Sequence, residues 1–313
     1  MTELPANGAT GATVVLEQVS RWYGNVVAVN GISFAIEPGI TGLLGPNGAG
    51  KSTLLHMLSG LLKPSAGNVT VLGAPAWQNP SLYRELGLVP EREAVYGSLT
   101  GFEFVRLSAV LQGVADPDGA ARRAIGIVEL ETAAGRATAG YSKGMKQRIK
   151  VAAALVHDPQ VLLLDEPFNG ADPRQRLHLM ELLRRLAAEG RTIVFSSHIL
   201  EEVERLAERV LVVVGGRLAA SGDFREIRRL MTDRPHTFTL RTSDDRQLAA
   251  ALLGHESVLG VELQDGRLSV RTTELRAFAL SLPAIARACG VTVRELRPSD
   301  ESLEDVFAYL VGS

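Results

Sequence analysis

The segment from Gly45 to Thr53, which reads Gly-Pro-Asn-Gly-Ala-Gly-Lys-Ser-Thr, restricts the fold of this chain more than any other feature. An apolar stretch from Ile40 to Leu44 precedes it, and apolar residues at helical spacing follow it from Leu54 onward. A strand, a glycine-rich loop and a helix in this order form the context that a phosphate-binding loop requires. The pattern therefore predicts an α/β fold with a nucleotide-phosphate site at this loop. The alternative is a glycine-rich turn in which Gly-Lys-Ser occurs by chance.

The residue types within the loop suit an anion. Its glycines, at positions 45, 48 and 50, let the backbone curl so that successive N–H groups point at one phosphate. The helix that follows adds its positive N-terminal end. Lys51 is expected to supply a point charge to the β- and γ-phosphates, and the hydroxyl of Ser52 is expected to ligate Mg²⁺.

A second signal is the run from Val161 to Leu164, which is followed directly by Asp165 and Glu166. Four consecutive large aliphatic residues predict a strand that is buried on both faces. Its two carboxylates then emerge at the carboxyl edge of the sheet, where open α/β sheets bind ligands. Beside a phosphate-binding loop, Asp165 would hold Mg²⁺ through its water shell and Glu166 would act as general base. The alternative is a pair of solvated acids at a strand end.

Two further residues have both a functional and a structural interpretation. Tyr23 lies beside Gly24 and upstream of the loop, where it can stack on a nucleobase or pack at a sheet edge. His198 follows a predicted strand of the same sheet and can therefore reach a γ-phosphate. A lone histidine is more often structural, so the motif alone leaves both interpretations open.

Composition narrows the class of protein. The 313 residues suffice for two domains, and 33 Lys and Arg against 35 Asp and Glu leave a formal net charge of −2. This balance gives no general attraction to nucleic acid or to an anionic membrane surface. The single cysteine, Cys289, cannot form an internal disulfide, which fits a reduced, cytoplasmic compartment. The first residues lack the pattern of a signal peptide, and no apolar run approaches the ~18 residues of a membrane-spanning helix.

The order of strand and helix patterns predicts the domain organisation. We expect a flexible N-terminus (1–13), a nucleotide-binding domain (14–223) with a helical subdomain at about 92–160, a linker (224–236) and a small α+β domain (237–313). Within the nucleotide-binding domain, residues 26–36 are predicted as two short strands around a turn at Asn30-Gly31. In the last domain, Asp265-Gly266 predicts a hairpin turn, and a final helix is expected from Leu303 to Leu310.

Together these motifs resemble the ATP-binding subunits of ABC transporters, especially the single-domain subunits of ABC-2-type exporters. The resemblance covers about 14–223, and it extends more weakly to the C-terminal domain, where 302–307 looks like the ending of many such subunits. The segment from Tyr141 to Arg148 occupies the position of the family's signature sequence, Leu-Ser-Gly-Gly-Gln, which other proteins with a phosphate-binding loop lack. Ser142 and Gly144 are kept, whereas the leucine, the first glycine and the glutamine are replaced by Tyr141, Lys143 and Met145.

The resemblance implies a fold and a set of site residues. The fold is a P-loop NTPase core of the ABC ATPase type, with an antiparallel β subdomain and a helical subdomain, followed by a small α+β domain. The implied cofactors are ATP and Mg²⁺. The implied catalytic residues are Glu166, His198 and Lys51, and the implied metal ligands are Ser52, Asp165 and Glu91, which stands where the family usually has glutamine. The implied ATP contacts are Tyr23, Gly45, Asn47, Gly48, Gly50, Lys51, Ser52, Thr53, Glu91, Ser142, Gly144 and Asp172.

The resemblance also implies partners and a location. It predicts a homodimer in which Ser142 and Gly144 of one copy close over ATP held by the other, because a helix N-terminus can cap a γ-phosphate from the opposite side. It further predicts separately encoded transmembrane permease subunits, an export function, and a position at the inner face of the cell membrane through the permease. No nucleic-acid partner is expected.

Two other classes of protein are weighed against this one. A soluble ABC-type ATPase acting on a ribosome or on DNA would carry two nucleotide domains or a long coiled-coil insertion, and the sequence has neither. The balanced charge of this chain also argues against a surface that binds nucleic acid. A GTPase would carry an Asn-Lys-x-Asp segment to read guanine, which is absent from the sequence, so ATP is favoured.

Overall fold

The computed structural model describes residues 11–92, 95–223, 236–264 and 267–298. The chain divides into two compact units, Met1–Phe224 and Arg225–Ser313. The predicted turn at Asp265-Gly266 and the predicted helix from Leu303 to Leu310 lie outside the described residues. In the described part of the chain, no helix is long and apolar enough to cross a membrane.

The first unit alternates strands and helices. Its strands are β1 (Val14–Tyr23), β2 (Val26–Ile36), β3 (Gly39–Leu44), β4 (Ala66–Val71), β5 (Ala74–Pro75), β6 (Leu86–Val89), β7 (Val161–Leu164), β8 (Thr192–Ser197), β9 (Arg209–Val214) and β10 (Arg217–Asp223). Its helices are α1 (Lys51–Leu58), α2 (Gly101–Leu111), α3 (Pro117–Ile127), α4 (Lys143–Leu155), α5 (Pro173–Ala188) and α6 (Leu200–Leu206).

The central sheet has six strands in the order β10-β9-β3-β8-β7-β6. Neighbours from β9 to β6 pair in parallel, and β10 returns antiparallel along β9. All four residues of β7 and all six residues of β8 are buried, as expected for strands covered on both faces. The carboxyl ends of β3, β7 and β8 therefore lie side by side at one edge, and the segments that follow these three strands meet there.

A second sheet of the same unit is antiparallel, with the order β2-β1-β4-β5. The prediction that residues 26–36 form two strands is wrong, because β2 is continuous. Its pairing with β1 runs from Val29 opposite Arg21 to Ile32 opposite Val19, so Asn30 and Gly31 form a bulge. Gly31 adopts φ 60°, a left-handed conformation that glycine accepts without strain and that resembles a turn in sequence.

The helical subdomain lies between β6 and β7 in sequence, and in it α2 packs against α3 and α4. Each helix begins at a side-chain cap. At α2, Glu103 N donates to Thr100 Oγ1 (3.2 Å) and Thr100 N donates to a Glu103 carboxylate oxygen (2.8 Å), which forms a capping box. Asp116 caps α3, and Ser142 caps α4.

The second unit is a small α+β fold. Its elements are β11 (His236–Thr242), α7 (Asp245–Leu253), β12 (Gly260–Gln264), β13 (Arg267–Thr272), α8 (Leu275–Ala288) and β14 (Val293–Pro298). The sheet is antiparallel in the order β12-β13-β11-β14, which is the ferredoxin-like arrangement of a βαββαβ chain. Its core is built around Phe238 stacked on Phe278, with ring centroids 5.3 Å apart.

Candidate functional site

The loop between β3 and α1 has an open concave backbone. Gly48 and Gly50 adopt φ 79° and 102°, and no atom lies within 4 Å of the position that a Cβ on Gly48 would take. A Cβ on Gly50 would collide with the carbonyl oxygen of Ala28, so this position requires glycine. Helix α1 begins with no side-chain cap, which leaves the N–H groups of its first turn available to an anion.

Lys51 lies over this loop and is buried. Its Nζ donates to the carbonyl oxygens of Gly45 (2.8 Å) and Pro46 (3.2 Å). The same Nζ is 3.3 Å from Oε1 of Glu166. A buried ammonium requires such partners. The three contacts hold the positive charge between the loop and the end of β7.

The two carboxylates after β7 are both buried and have different partners. Asp165 Oδ1 accepts a 2.6 Å hydrogen bond from Ser196 Oγ, which itself accepts from the backbone N of Glu166 at 2.8 Å. Ser196 lies on the neighbouring strand β8, and sequence reasoning gave it no role. Its only sequence signal is a polar residue at the end of an otherwise apolar strand. Glu166 has φ 45°, which is uncommon for a residue with a Cβ and is typical of functional sites.

His198 follows β8 and reaches the same carboxylate. Its Nδ1 is 2.9 Å from Glu166 Oε2, so with an ionised carboxylate as acceptor the Nδ1–H donates. Glu166 is thus held between two positively polarised groups, the Lys51 ammonium at Oε1 and the His198 imidazole at Oε2. The carboxylate is fixed in orientation before any ligand is bound.

These groups surround one cavity of about 350 Å³. Its lining comprises Ala28, Asn47, Gly48, Ala49, Gly50, Lys51, Ser52, Thr53, Glu91, Glu166, Asn169 and His198. The structure therefore brings together loop residues, Glu91, Glu166 and His198 that the sequence singled out separately. A larger cavity of about 510 Å³ lies elsewhere in the first unit, between β6 and the helical subdomain, and contains none of these residues.

The cavity fits a nucleotide phosphate and a magnesium ion by the chemistry of its donors. Uncapped N–H groups, the empty space above Gly48 and the Lys51 ammonium suit a phosphate. Among the described residues, no group of three or more His, Cys, Asp and Glu could hold a metal. Mg²⁺ usually takes one or two protein ligands and completes its shell with water and phosphate oxygens. Ser52 and Glu91 line the cavity and offer oxygen ligands, whereas Asp165, which directly precedes Glu166, is not part of the lining.

The other predicted ATP contacts lie outside the cavity lining. Tyr23 is half-exposed at the end of β1, and the Arg21 guanidinium stands 4.7 Å from its ring centroid. Ser142 Oγ accepts from Met145 N at 3.2 Å, and Asp172 Oδ1 accepts from Gln175 N at 3.0 Å. In the single chain, Ser142 and Asp172 therefore act as helix caps.

The signature segment has contacts that the sequence did not suggest. A Cβ on Gly144 would collide with the side-chain amide of Gln175, so Gln175 covers this part of α4 within the chain. Tyr141, which replaces the usual leucine, is buried and donates a 2.7 Å hydrogen bond to the carbonyl of Ala133. Tyr141 in place of leucine therefore keeps a buried, largely apolar side chain at this position and adds a hydrogen bond to the backbone.

Comparison with known proteins agrees with this fold and site. The family model described as ABC transporter matches residues 29–169. The linearmycin resistance ATP-binding protein LnrL of Bacillus subtilis is 33% identical over 303 residues, which cover 95% of this chain and 97% of that protein. The bacitracin transport ATP-binding protein BcrA of Enterococcus faecalis is 34% identical over 303 residues, covering 95% of each. A solved ATP-binding subunit of an ABC transporter has a TM-score of 0.63 at 31% identity, covering 69% of this chain and 92% of that one.

The fold and the matches define the class of protein as an ATP-binding cassette ATPase. The chain belongs to the ABC transporter family, as an ATP-binding subunit of the drug-exporter-like branch. It binds ATP and is an ATPase whose reaction is coupled to transport. The alternative of a soluble ATPase acting on a ribosome or on nucleic acid is not favoured, because these relatives are named for transport and resistance.

Proposed function

We propose that this chain hydrolyses Mg²⁺-ATP at the carboxyl edge of its parallel sheet, and that two copies close around two ATP molecules to drive export. The observation that carries the proposal is that one cavity is lined by the glycine-rich loop, Lys51, Glu166 and His198. Positioning and charge stabilisation are the main requirements of phosphoryl transfer, and these residues supply both.

In this proposal the loop and Lys51 hold the phosphates. The backbone N–H groups at Gly48, Gly50 and the start of α1 point at the β- and γ-phosphates, with Asn47 and Thr53 at the rim of the same cavity. Gly45 contributes by its small size, because a Cβ there would collide with the carbonyl of Val213. Lys51 already bridges the loop and Glu166, so its ammonium lies at the wall of the cavity that would hold the phosphates.

The metal ligands are proposed to be Ser52, Asp165 and Glu91. A bound Mg²⁺ would neutralise charge that develops on the phosphates. Ser196 orients Asp165 through Oδ1 and leaves Oδ2 for the metal or its water shell. Glu91 lines the cavity from the segment after β6, so its carboxylate adds a negative charge that a cation must balance.

The proton acceptor is proposed to be Glu166, with His198 as its positioning partner and sensor of the γ-phosphate. The imidazole Nδ1–H holds Oε2, while Oε1 faces Lys51. When a phosphate draws Lys51 away, Oε1 is released to accept a proton from the attacking water. Burial keeps this carboxylate out of bulk solvent.

The second half of each site is proposed to come from the partner copy. Tyr23 would stack on adenine from the same chain, whereas Ser142, Gly144 and Asp172 would close over the phosphates in trans. Support for the role in trans comes from Ser142, which caps the N-terminus of α4, because a helix N-terminus suits a phosphate. Gln175 covers Gly144 in the single chain and would have to move aside when the two copies close.

The membrane partner is proposed to be a separately encoded permease. Relatives are named for linearmycin resistance, bacitracin transport and Nod factor export in Rhizobium etli, which supports export by this chain. The chain would then work at the cytoplasmic face of the cell membrane. We further propose that 14–223 is the nucleotide-binding domain, that 224–236 is a linker, and that the unit over 237–313 is accessory, because it contributes no proposed site residue.

ATP hydrolysis by purified protein tests this function. Lys51→Ala removes the charge that anchors the phosphates, so we expect loss of tight ATP binding by calorimetry and loss of phosphate release. The matched control is Lys63→Ala, an exposed lysine in the turn after α1, which should hydrolyse ATP at the wild-type rate. A Lys51→Ala protein that hydrolyses ATP as fast as this control would overturn the site assignment.

A further inference from the structure

Lys150 is a buried lysine in the middle of α4, a helix that sequence reasoning valued only for its N-terminal signature residues. Its Nζ donates to three successive carbonyl oxygens, those of Pro90 (2.7 Å), Glu91 (3.4 Å) and Arg92 (3.3 Å). An ammonium has three N–H donors, and burying it is costly unless they are satisfied. The side chain is therefore held against the segment that follows β6.

This segment lies between the cavity of the glycine-rich loop and the larger cavity beside the helical subdomain. Glu91 lines the cavity of the glycine-rich loop, whereas Pro90 and Lys150 line the larger cavity between β6 and the helical subdomain. The 90–92 backbone makes no helix or strand, so its course depends on contacts of this kind. The Lys150 hydrogen bonds fix the backbone from which the Glu91 carboxylate projects.

The same lysine is rigidly connected to the signature residues. Helix α4 begins at its cap Ser142, and eight residues of α-helix place Lys150 ~12 Å along the axis. A helix transmits displacement along its length as a stiff element. Movement of the signature end of α4 would therefore carry Nζ, and with it the 90–92 backbone.

We propose that Lys150 is a positioning residue that couples α4 to Glu91. It holds the 90–92 backbone so that Glu91 faces the Mg²⁺ side of the ATP cavity, and it makes this segment move with the signature residues. The inference rests on the proposed function of the cavity and adds to it a residue that links this chain's own ATP cavity to the signature residues that it supplies to its partner's ATP.

A double-mutant cycle on ATP hydrolysis tests the coupling. Lys150→Met keeps the length of the side chain and removes its donors, and Glu91→Ala removes the carboxylate. We expect each single variant to lower kcat, and to shift the Mg²⁺ concentration that gives half-maximal ATP binding in calorimetry, by roughly threefold to tenfold. The two changes act through one group, so Lys150→Met should have no further effect in the Glu91→Ala protein.

Two results would overturn the inference. One is a double variant in which kcat falls by the product of the factors measured for the two single variants. The other is a Lys150→Met protein whose kcat and Mg²⁺ dependence are those of the wild type. Lys63→Met, combined with Glu91→Ala in the same way, provides the control for a lysine exchange elsewhere. If Lys150→Met fails to fold by circular dichroism, Lys150→Gln replaces it, and the same criterion applies. The Lys51→Ala experiment tests the ATPase site without involving Lys150. A negative result for the Lys150 coupling would therefore leave the proposed ATPase site standing.

Discussion

Replacement of Glu166 by glutamine perturbs the proposed chemistry while leaving the shape of the site nearly unchanged. Glu166 is buried, with Oε1 3.3 Å from Lys51 Nζ and Oε2 2.9 Å from His198 Nδ1. Glutamine has almost the same volume and can still accept from His198 through its carbonyl oxygen. It has no charge and cannot take a proton from water. The substitution therefore separates catalysis from nucleotide binding.

The expected magnitude follows from the role of the lost group. A general base contributes about 10²- to 10⁴-fold to a rate, and each factor of ten corresponds to about 1.4 kcal/mol of activation free energy. We expect hydrolysis by Glu166→Gln to slow by at least ~10²-fold, or about 2.7 kcal/mol. ATP affinity should be kept or increased, because one negative charge near the phosphates is gone.

The assay measures phosphate release in a single turnover and ATP binding by calorimetry on the same preparation. The control is Glu201→Gln, three residues beyond His198, where the glutamate is exposed and pairs with Arg205 one helical turn away at 2.8 Å. This control should retain wild-type rates. A Glu166→Gln protein with near wild-type turnover would refute the assignment of the base.

Three further predictions concern other parts of the first unit. Tyr23→Ala should weaken ATP binding by about fivefold or more in calorimetry while Tyr23→Phe binds normally, since stacking of a base on an aromatic ring contributes about 1–3 kcal/mol; equal affinities in both variants would exclude stacking. Gly50→Ala should lower the thermal midpoint and abolish ATP binding, because the new Cβ collides with the Ala28 carbonyl at φ 102°; an unchanged midpoint would contradict the loop geometry. Burial lowers the pKa of His157 below its ordinary 6.5, so the folded state binds this proton less readily than the unfolded chain, and stability should fall as the pH drops below about 6.5. His157→Gln should reduce this loss of stability, measured as the free energy of unfolding in urea titrations at several pH values. An identical pH dependence of stability in the variant and the wild type would show that His157 is not its source.

Much of the fold could be predicted because its signals are local. The apolar runs of β7 and β8 indicate strands buried on both faces, and the structure confirms both. The glycine-rich loop lies between β3 and α1 as its sequence context indicates. Parallel strands share an edge, so the positions after β3, β7 and β8 could be expected to converge near Lys51 and Glu166.

The details that the sequence did not reveal depend on residues far apart in the chain. Ser196 orients Asp165 from a strand 31 residues later, and no local pattern indicates such a hydrogen bond. The bulge in β2 resembles a turn because the same residue types accept left-handed backbone in both settings. Lys150 looks like a solvent-facing residue of a polar helix, and only the packing of α4 against the 90–92 segment buries it.

The central claim is that each ATP is hydrolysed between two copies of this chain, and mixing two inactive variants tests it most directly. Lys51→Ala disables the phosphate-holding half of a site, and Ser142→Arg disables the half supplied in trans. In a mixed dimer one of the two composite sites has both halves intact. A chain carrying both substitutions, mixed with itself, provides the inactive control.

Equal amounts of the two variants should recover about a quarter of the wild-type rate, because random pairing makes half of the dimers mixed and each mixed dimer has one intact site of two. Tagged and untagged chains should also co-purify in the presence of ATP. Co-purification of the two variants without any recovery of phosphate release would contradict the account.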